Sequence, residues 1–527
     1  MSCAGGVLSL SSRHIHFTRG ASYLVIHSLG INAVNVVSFA ILARIISTKE
    51  MGIYAILLLI NATCQTFATL SVDQAVNKFV AENFSKGAVS AAAGAFYQAL
   101  RTTLIIAVPV VALIYYEAPF LAMYLLGDAS YAVLFQVLAV DVFFSTGALP
   151  VLMRGLLGLQ MFREFAVADL ILGGLLRQTL IILLIVLLRN FVGLVMAWVF
   201  SDAATVFLML VFAVNALGVP KFDFPLIKLI RFSLPLTLVN VAGYAQTWFD
   251  RALLVAYVPL ATLGIYNVSL TAFGVLVGVA GAMASMLFSA YSSLTGGTQF
   301  KRRMRDAVRL ATRYASFTLI PLTLGLLAVA KPALTLLVGE SYAGGSLPLI
   351  IFCAAFAVTA FTEVLNPVLL VLEETKIAAG ITAVSVATSL AVAYVLLPEW
   401  GMVGAAVARA FAIILVAAFT IFVVSRKMML QVDIPAVAKN LFAATVMAIV
   451  LVALQLIIYS KFLLPVYVLV GAILYVILLR LLRAVEPKDL SLLRGFLGPK
   501  LSLLSNVVSW VVLSEDQQES GKLKAIP

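Results

Sequence analysis

Apolar residues occur along this chain in runs that alternate with short polar segments, from near the N-terminus to about residue 480. A helix of roughly 20 apolar residues spans the hydrocarbon core of a bilayer. Fourteen runs meet this criterion, at 21–46, 52–77, 90–115, 132–153, 165–188, 191–215, 232–257, 264–293, 310–329, 346–370, 377–397, 401–425, 439–459 and 462–480. With 63% apolar and 11% charged residues, the chain is predicted to be an all-α polytopic membrane protein with about 14 transmembrane helices.

The lysine and arginine residues predict the orientation of these spans. With a cytosolic N-terminus, 26 of the 35 basic residues fall in cytosolic segments and five in outer segments. Because short cytosolic loops are enriched in basic residues, both termini are expected in the cytosol. The first run, 21–46, is too long for the core of a cleaved signal peptide and is interpreted as a retained signal anchor. The basic cluster at 301–313 is interpreted as a topology signal, with a lipid- or nucleic-acid-binding patch as the alternative.

The chain repeats itself at a nearly constant offset. Gly52-Ile53-Tyr54 recurs as Gly264-Ile265-Tyr266, an offset of 264 − 52 = 212 residues. The same offset, or 211, relates Pro109 to Pro321, Gly127 to Gly339 and Gly193 to Gly404. Six helices lie within one repeat, so both halves enter the membrane in the same direction. We therefore predict an N-lobe at 1–220, a C-lobe at 221–430 and two further helices at 431–483. An interfacial cytosolic helix and a disordered tail are expected at 484–527.

The residues that most enzymes and metal sites need are scarce. The chain has three cysteines and three histidines, and they show no metal or redox spacing. The loops between spans are short, whereas a membrane-embedded glycosyltransferase or polymerase would need large outer loops with carboxylates or histidines. We expect neither catalysis nor a cofactor or metal.

Charged residues inside the predicted spans are costly and each needs a partner or a function. They are Asp73, Arg101, Asp141, Asp169, Arg177, Asp202, Asp250, Arg251, Glu363 and Arg409. One interpretation is that they pair within the helix bundle, as we expect for Arg177 and Asp202. The other is that some line a water-filled cavity and bind a charged substrate. The candidates for substrate binding are Arg44, Lys78, Arg101, Asp250 and Arg251, and those for ion coupling are Asp73 and Asp250.

Three segments resemble a known family. Residues 42–54 hold a basic residue at the end of the first helix, a short acidic turn and Gly-Ile-Tyr, and residues 250–267 look like the matching part of a second lobe. Gly401–Ala408 is similar to the start of the twelfth helix of the same proteins. Over residues 15–480 the chain therefore resembles the polysaccharide-export flippases of the multidrug/oligosaccharidyl-lipid/polysaccharide (MOP) superfamily.

The resemblance implies two six-helix lobes arranged as a V, plus two extra helices. It also implies that the protein flips a polyprenyl lipid, which carries sugars through a phosphate or pyrophosphate, to the outer leaflet of the cell membrane by alternating access. We expect a monomer that contacts membrane lipids and binds no nucleic acid, and the expected protein partners are glycosyltransferases or a polymerase of the same pathway. The alternatives are a multidrug or cation antiporter of the superfamily and a flippase for the peptidoglycan precursor lipid II.

Overall fold

The computed structural model describes residues 4–295, 299–428 and 433–482, so the predicted interfacial helix and tail at 484–527 lie outside the described residues. Within those ranges every regular element is a helix. The α-helices are α1 Ala4–Ile45, α2 Thr48–Ala68, α3 Val72–Ser85, α4 Val89–Tyr116, α5 Ala118–Leu121, α6 Ala132–Val142, α7 Leu149–Gly158, α8 Phe162–Ala168, α9 Arg177–Leu188, α10 Val192–Leu217, α11 Leu226–Tyr257, α12 Leu260–Ser292, α13 Phe300–Ala328, α14 Ala330–Leu337, α15 Ser346–Thr359, α16 Asn366–Val371, α17 Thr375–Met428, α18 Ile434–Ile457 and α19 Leu464–Leu481. Three π-helical segments lie at Ala122–Leu126, Phe143–Ala148 and Asp169–Leu176.

The described helices account for the predicted number of spans. Thirteen of them are long and apolar enough to cross a membrane, and one of these is α17 with 54 residues. At 1.5 Å per residue α17 would be ~80 Å long, more than twice the ~30 Å hydrocarbon core. It is interrupted at Gly401, whose φ of 51° and ψ of −127° are not helical. Counting α17 as two crossings gives fourteen, so the predicted polytopic all-α fold is confirmed.

Large apolar side chains are exposed on the outer faces of these helices. Leu456 on α18 is 83% exposed and Leu238 on α11 is 73% exposed. A water-soluble protein would bury such side chains, whereas a lipid environment solvates them. The exposed apolar faces therefore agree with a multi-pass membrane protein.

The run predicted as one span at 52–77 is divided into α2 and α3. The break contains Leu70 with φ 47° and Ser71 with φ 55°, both in the left-handed region. A left-handed residue cannot continue a right-handed helix, so α3 starts in a new direction at Val72. Two residues that follow the break, Asp73 and Gln74, line a cavity.

The contacts between residues divide the chain into two compact units, with the boundary after Gly264. In unit 1, α3 packs against α4 and α7, α2 packs against α11, and α10 packs against α6 and α9. In unit 2, α13 packs against α18, α15 against α17, and α18 against α19. The domain boundaries drawn from the repeat stay predictions.

The repeated Gly-Ile-Tyr segments explain one contact within unit 1. A Cβ atom added to Gly52 would lie 1.9 Å from the carbonyl oxygen of Leu260, and one added to Gly264 would lie 2.2 Å from that of Thr48. The two contacts are reciprocal under the same offset, because 260 − 48 = 212. Glycine is therefore required at both repeat positions for the close approach of α2 to residues 260–264, the part of α12 that lies in unit 1.

Candidate functional site

Unit 1 contains a cavity of about 900 Å³, a volume within the range of pockets that bind small molecules. Residues of α2, α3, α7, α8 and α11, and of the break before α3, line it. They are Ala62, Gln65, Thr66, Thr69, Asp73, Gln74, Leu149, Pro150, Met153, Arg154, Leu157, Phe165, Val239, Asn240, Gly243, Tyr244, Thr247 and Trp248. The wall thus combines one cation, one carboxylate, three amides and three aromatic rings with apolar surface.

The two charged residues of the cavity face each other. The Nε atom of Arg154 on α7 lies 3.6 Å from Oδ2 of Asp73 on α3, and the Arg154 side chain is 47% exposed. This separation exceeds the 2.7–2.9 Å of a strong charge-assisted hydrogen bond. A half-exposed guanidinium with a loosely held carboxylate can exchange that partner for an anionic ligand.

The amide side chains are held by hydrogen bonds across the break in the second span. Asn240 on α11 donates from Nδ2 to Oγ of Ser71 at 2.8 Å, and Gln74 donates from Nε2 to Oδ1 of Asn240 at 3.4 Å. Gln65 on α2 donates from Nε2 to the carbonyl oxygen of Ser145 at 3.3 Å. An amide group offers both donors and acceptors, so this wall can bind hydroxyl groups of a ligand.

Two aromatic residues of α11 complete the wall. Tyr244 hydrogen-bonds through its hydroxyl to Thr63 on α2 and packs edge-on against Phe67, with ring centroids 5.8 Å apart. One turn further, the Trp248 ring lies 4.3 Å from the guanidinium carbon of Arg251. These contacts fix the orientation of both rings beside the cavity.

The predicted site residues fall into different places. Asp73, a candidate for ion coupling, lines the cavity. Asp250 is fully buried, and its Oδ1 accepts a hydrogen bond from the backbone N–H of Arg251 at 2.8 Å. Arg251 is half-buried beside Trp248. The roles given to these residues stay predictions.

Three other predicted cations do not line this cavity. Arg44 is exposed in the last turn of α1. Lys78 is exposed, with Nζ 4.1 Å from the ring centroid of Phe232. Arg101 is exposed, and its guanidinium lies 4.9 Å from the ring of Phe222. Phe222 belongs to the segment between α10 and α11, so Lys78 and Arg101 attach this segment and the start of α11 to α3 and α4 through cation–π contacts.

Arg154 is a cavity residue that hydropathy does not single out. The predicted span 132–153 ends just before it, whereas α7 continues to Gly158. The amides were missed because a polar uncharged residue in an apolar run gives a weak signal. The predicted pair of Arg177 and Asp202 is present, with Nη1 and Oδ1 3.3 Å apart.

Solved structures that are similar to this chain include membrane transporters. The chain is similar to the lipid II flippase MurJ in its inward closed conformation, with a TM-score of 0.68, 14% identity, and coverage of 88% of this chain and 98% of that one. It is also similar to an inward-facing multidrug resistance MATE family transporter of the MOP superfamily, with a TM-score of 0.61, 14% identity, and coverage of 77% and 98%. A MOP superfamily transporter from Pyrococcus furiosus gives 0.52, 16% identity, and coverage of 79% and 94%.

These likenesses define the class of fold, which is that of the MOP superfamily. Residues 41–346 match the family described as "Polysaccharide biosynthesis protein", more than half of the chain, and the chain belongs to that family. No curated protein matches the chain. The resemblance found in the sequence is thus confirmed at the level of family and fold.

Proposed function

We propose that this protein flips a polyprenyl lipid, which carries an oligosaccharide through a phosphate or pyrophosphate, from the cytosolic to the outer leaflet of the cell membrane. The observation that carries the proposal is the unit 1 cavity, in which the half-exposed Arg154 stands beside amide and aromatic side chains. Family membership and the MOP fold support a transporter acting by alternating access.

Arg154 suits the phosphate end of such a cargo. A polyanion that crosses a bilayer must exchange water for other hydrogen-bond donors, and a guanidinium supplies several in a planar fork that matches phosphate oxygens. Asp73, 3.6 Å away, neutralises Arg154 when no anion is bound. A phosphate would take the place of the Asp73 carboxylate.

The rest of the wall suits a sugar. Gln65, Gln74 and Asn240 present amides to the cavity, and Tyr244 and Trp248 present rings. Amides can pair with hydroxyl groups as donors and as acceptors, and an aromatic ring covers the apolar face of a sugar ring. A purely hydrophobic drug would leave these polar groups unsatisfied at a cost.

The predicted orientation places this cavity where the cargo would enter. Asp73 follows the end of α2, Arg154 lies near the end of α7 and Asn240 lies in the first half of α11. With a cytosolic N-terminus, all three positions belong to the cytosolic half of their spans. When the cytosol is negative, movement of one negative charge out of it releases roughly 2.3 kcal/mol per 100 mV. The membrane potential therefore favours export of an anionic headgroup.

The proposal includes no chemical reaction by the protein. The cargo is assembled by glycosyltransferases on the cytosolic side and used by a polymerase or transferase on the outer side, and the protein acts as a monomer between them. Flipping in the opposite direction would require work against the membrane potential.

The test is a flipping assay with the purified full-length protein in proteoliposomes that contain a fluorescent polyprenyl-pyrophosphate oligosaccharide. Leaflet position is read from access of a membrane-impermeant quencher. Arg154→Gln is expected to slow flipping about tenfold or more, because losing a phosphate contact of about 1.4 kcal/mol reduces occupancy tenfold.

Arg163→Gln is the matched control. Arg163 is an exposed arginine on α8, nine positions along the chain, and does not line the cavity. Its variant should flip the cargo at the wild-type rate. If Arg154→Gln also keeps the wild-type rate, the cavity is not the phosphate site. If the wild type moves a cationic dye and leaves the lipid-linked sugar in place, the protein is a drug exporter.

A further inference from the structure

The start of α13, which is its cytosolic end in the predicted orientation, carries a dense group of cations in unit 2. Its first four turns hold six basic residues and one acid, which are Lys301, Arg302, Arg303, Arg305, Arg309, Arg313 and Asp306. The first turn has no acidic residue, and the side chain of Gln299 forms no capping hydrogen bond. Because a helix N-terminus is itself partly positive, cations there destabilise the helix unless an anion compensates them. An anion bound beside this end of α13 would therefore stabilise it.

Four of these arginines lie on one face of α13 and form what we call the arginine stripe, which is Arg302, Arg305, Arg309 and Arg313. At 3.6 residues per turn their positions fall within a sector of about 80° and extend over ~16 Å of the helix axis. Arg302 and Arg309 are exposed, and the other two are half-buried. A guanidinium group is a planar fork of N–H donors that matches two oxygens of a phosphate. The stripe therefore offers several phosphate-binding groups along one line.

Ion pairs within unit 2 leave part of the stripe without a counter-ion. Arg309 Nη2 lies 3.5 Å from Asp433 Oδ2, and the same carboxylate accepts a hydrogen bond from the backbone N–H of Ala436 at 3.3 Å. Arg302 and Arg305 form no ion pair with any residue that the structure describes. The Nε atom of Arg305 is buried and has no hydrogen-bond partner among those residues. Two guanidinium groups of the stripe can therefore take an external anion without breaking an ion pair to a described residue.

The last helix, α19, places a further cation at the depth of the stripe. Tyr475 donates a hydrogen bond to the carbonyl oxygen of Phe317 on α13 at 3.1 Å, so these two residues lie at the same depth. Of the fourteen crossings, α13 is the ninth and α19 the fourteenth, so the two helices run in opposite directions. Arg480, five residues beyond Tyr475, therefore lies near the level of Arg313. It is half-buried and adds to the positive charge at this depth.

Exposed apolar side chains adjoin the cations at this end of unit 2. Leu310 follows Arg309 and is 38% exposed, and Leu481 follows Arg480 and is 72% exposed. Ile434, the first residue of α18, comes directly after the carboxylate that contacts Arg309 and is 70% exposed. A phospholipid joins a phosphate to apolar chains, so it can cover both kinds of surface at once. A free phosphate ion or a nucleic acid would leave the apolar side chains uncovered.

We infer that the arginine stripe and Arg480 form a binding site for the phosphate of an anionic phospholipid in the cytosolic leaflet, whose acyl chains pack on the adjacent apolar side chains. Anionic lipids give the cytosolic leaflet its negative surface potential, and each basic residue near that surface strengthens binding about fivefold. The site lies in unit 2 and uses no residue of the unit 1 cavity. It is therefore independent of the proposed function, and the basic cluster at 301–313 does more than set the topology.

The site is tested by native mass spectrometry of the purified full-length protein, which measures the binding of single lipids. The probes are phosphatidylglycerol and phosphatidylcholine with the same acyl chains, because they differ in headgroup charge. The wild type should bind its first phosphatidylglycerol at least about tenfold more tightly than phosphatidylcholine. The triple variant Arg302→Gln, Arg305→Gln, Arg309→Gln should weaken phosphatidylglycerol binding about a hundredfold, three factors of roughly five. Its binding of phosphatidylcholine should not change.

The matched control removes three exposed basic residues from unit 1, in the triple variant Lys86→Gln, Arg163→Gln, Arg231→Gln. It changes the net charge by the same amount and should bind phosphatidylglycerol as the wild type does. A double variant, Arg302→Gln with Arg305→Gln, leaves the ion pair between α13 and α18 intact and should weaken binding about 25-fold. In phosphatidylcholine nanodiscs it should unfold at the wild-type Tm. Added phosphatidylglycerol should raise the Tm of the wild type more than that of the double variant, because a ligand of the folded state stabilises it.

Other outcomes would overturn the site. Equal affinity of the wild type for the two lipids, or unchanged phosphatidylglycerol binding in the stripe variants, means that the basic cluster only sets the topology. Displacement of phosphatidylglycerol by inorganic phosphate at equal concentration means a site for the free ion. Binding of a single-stranded oligonucleotide that the stripe variants lose, without a preference for phosphatidylglycerol, means a nucleic-acid site. None of these measurements uses lipid-linked sugar, so their failure is distinct from a failure of the flipping assay.

Discussion

The two units of this chain share a close helix contact at a glycine and differ in the polar side chains that they bury. In unit 1, a Cβ added to Gly193 would lie 2.8 Å from the carbonyl oxygen of Leu184, and in unit 2, one added to Gly404 would lie 2.5 Å from that of Leu396. Each glycine lets a helix touch the last turn of the preceding one. The repeat has preserved this contact in both units.

The buried polar residues of the two units are not alike. Unit 1 buries the carboxyl groups of Asp141, Asp202 and Asp250, whereas the buried polar residues in the described part of unit 2 are serines, threonines and the two asparagines Asn267 and Asn440. Hydroxyls can satisfy themselves on backbone carbonyls of the same helix, but charges need a dedicated partner. Both units therefore share the glycine contact, whereas among the described residues the buried carboxyl groups all belong to unit 1.

The largest effect should come from the buried charge of unit 1. Arg177→Met leaves Asp202, 1% exposed, without its cation, and should lower the free energy of unfolding by about 3–5 kcal/mol. Lys461→Met in unit 2 is the matched change, because Lys461 pairs with Glu340 at 2.9 Å in a partly exposed position. It should cost about 1 kcal/mol or less. Thermal unfolding of both variants measures the two losses of stability. Equal losses would contradict the difference in buried charge between the units.

The shared glycines should give the next largest effect, and an equal one in both units. Gly193→Ala and Gly404→Ala each force a methyl group against a backbone carbonyl and should cost about 1–3 kcal/mol. Gly278→Ala is the control, because no atom lies within 4 Å of its added Cβ, and it should be neutral or slightly stabilising. If only one of the variants Gly193→Ala and Gly404→Ala loses stability, the glycine contact is not shared by the two units.

Two asparagines should separate binding from stability with the smallest effects. Asn440 is buried in unit 2 and donates to Ser316 Oγ at 2.9 Å, so Asn440→Ala should cost about 1 kcal/mol of stability and leave flipping intact. Asn240 faces the unit 1 cavity, so Asn240→Ala should slow flipping several-fold with a smaller loss of Tm. Slower flipping in Asn440→Ala, with wild-type flipping in Asn240→Ala, would contradict the placement of the site in unit 1.

The sequence predicted the fold well because each span is encoded locally. A run of apolar residues identifies a membrane helix whatever its neighbours are, and the kink at Gly401 coincides with the start of the predicted span 401–425. The repeat could be found because glycines at helix contacts tolerate no side chain, as Gly52 and Gly264 show.

The site was less predictable because it depends on which faces of distant helices meet. Arg154 and Asp73 are 81 positions apart, and neither hydropathy nor charge shows that they are 3.6 Å apart. Lys78 was a reasonable candidate by charge alone, yet its ammonium group lies against Phe232. Pairing across helices, as for Arg177 and Asp202, was predictable only where two opposite charges occurred at similar depth in neighbouring spans.

The break between α2 and α3 also stores backbone strain. Each of its left-handed residues, Leu70 and Ser71, costs roughly 1–2 kcal/mol relative to a right-handed conformation. Joining α2 and α3 into one straight helix would release this energy and extend a rigid rod by about one turn. The hydrogen bond from Asn240 to Ser71 opposes that change. Asn240, a residue of the cavity wall, therefore stabilises the strained break between α2 and α3.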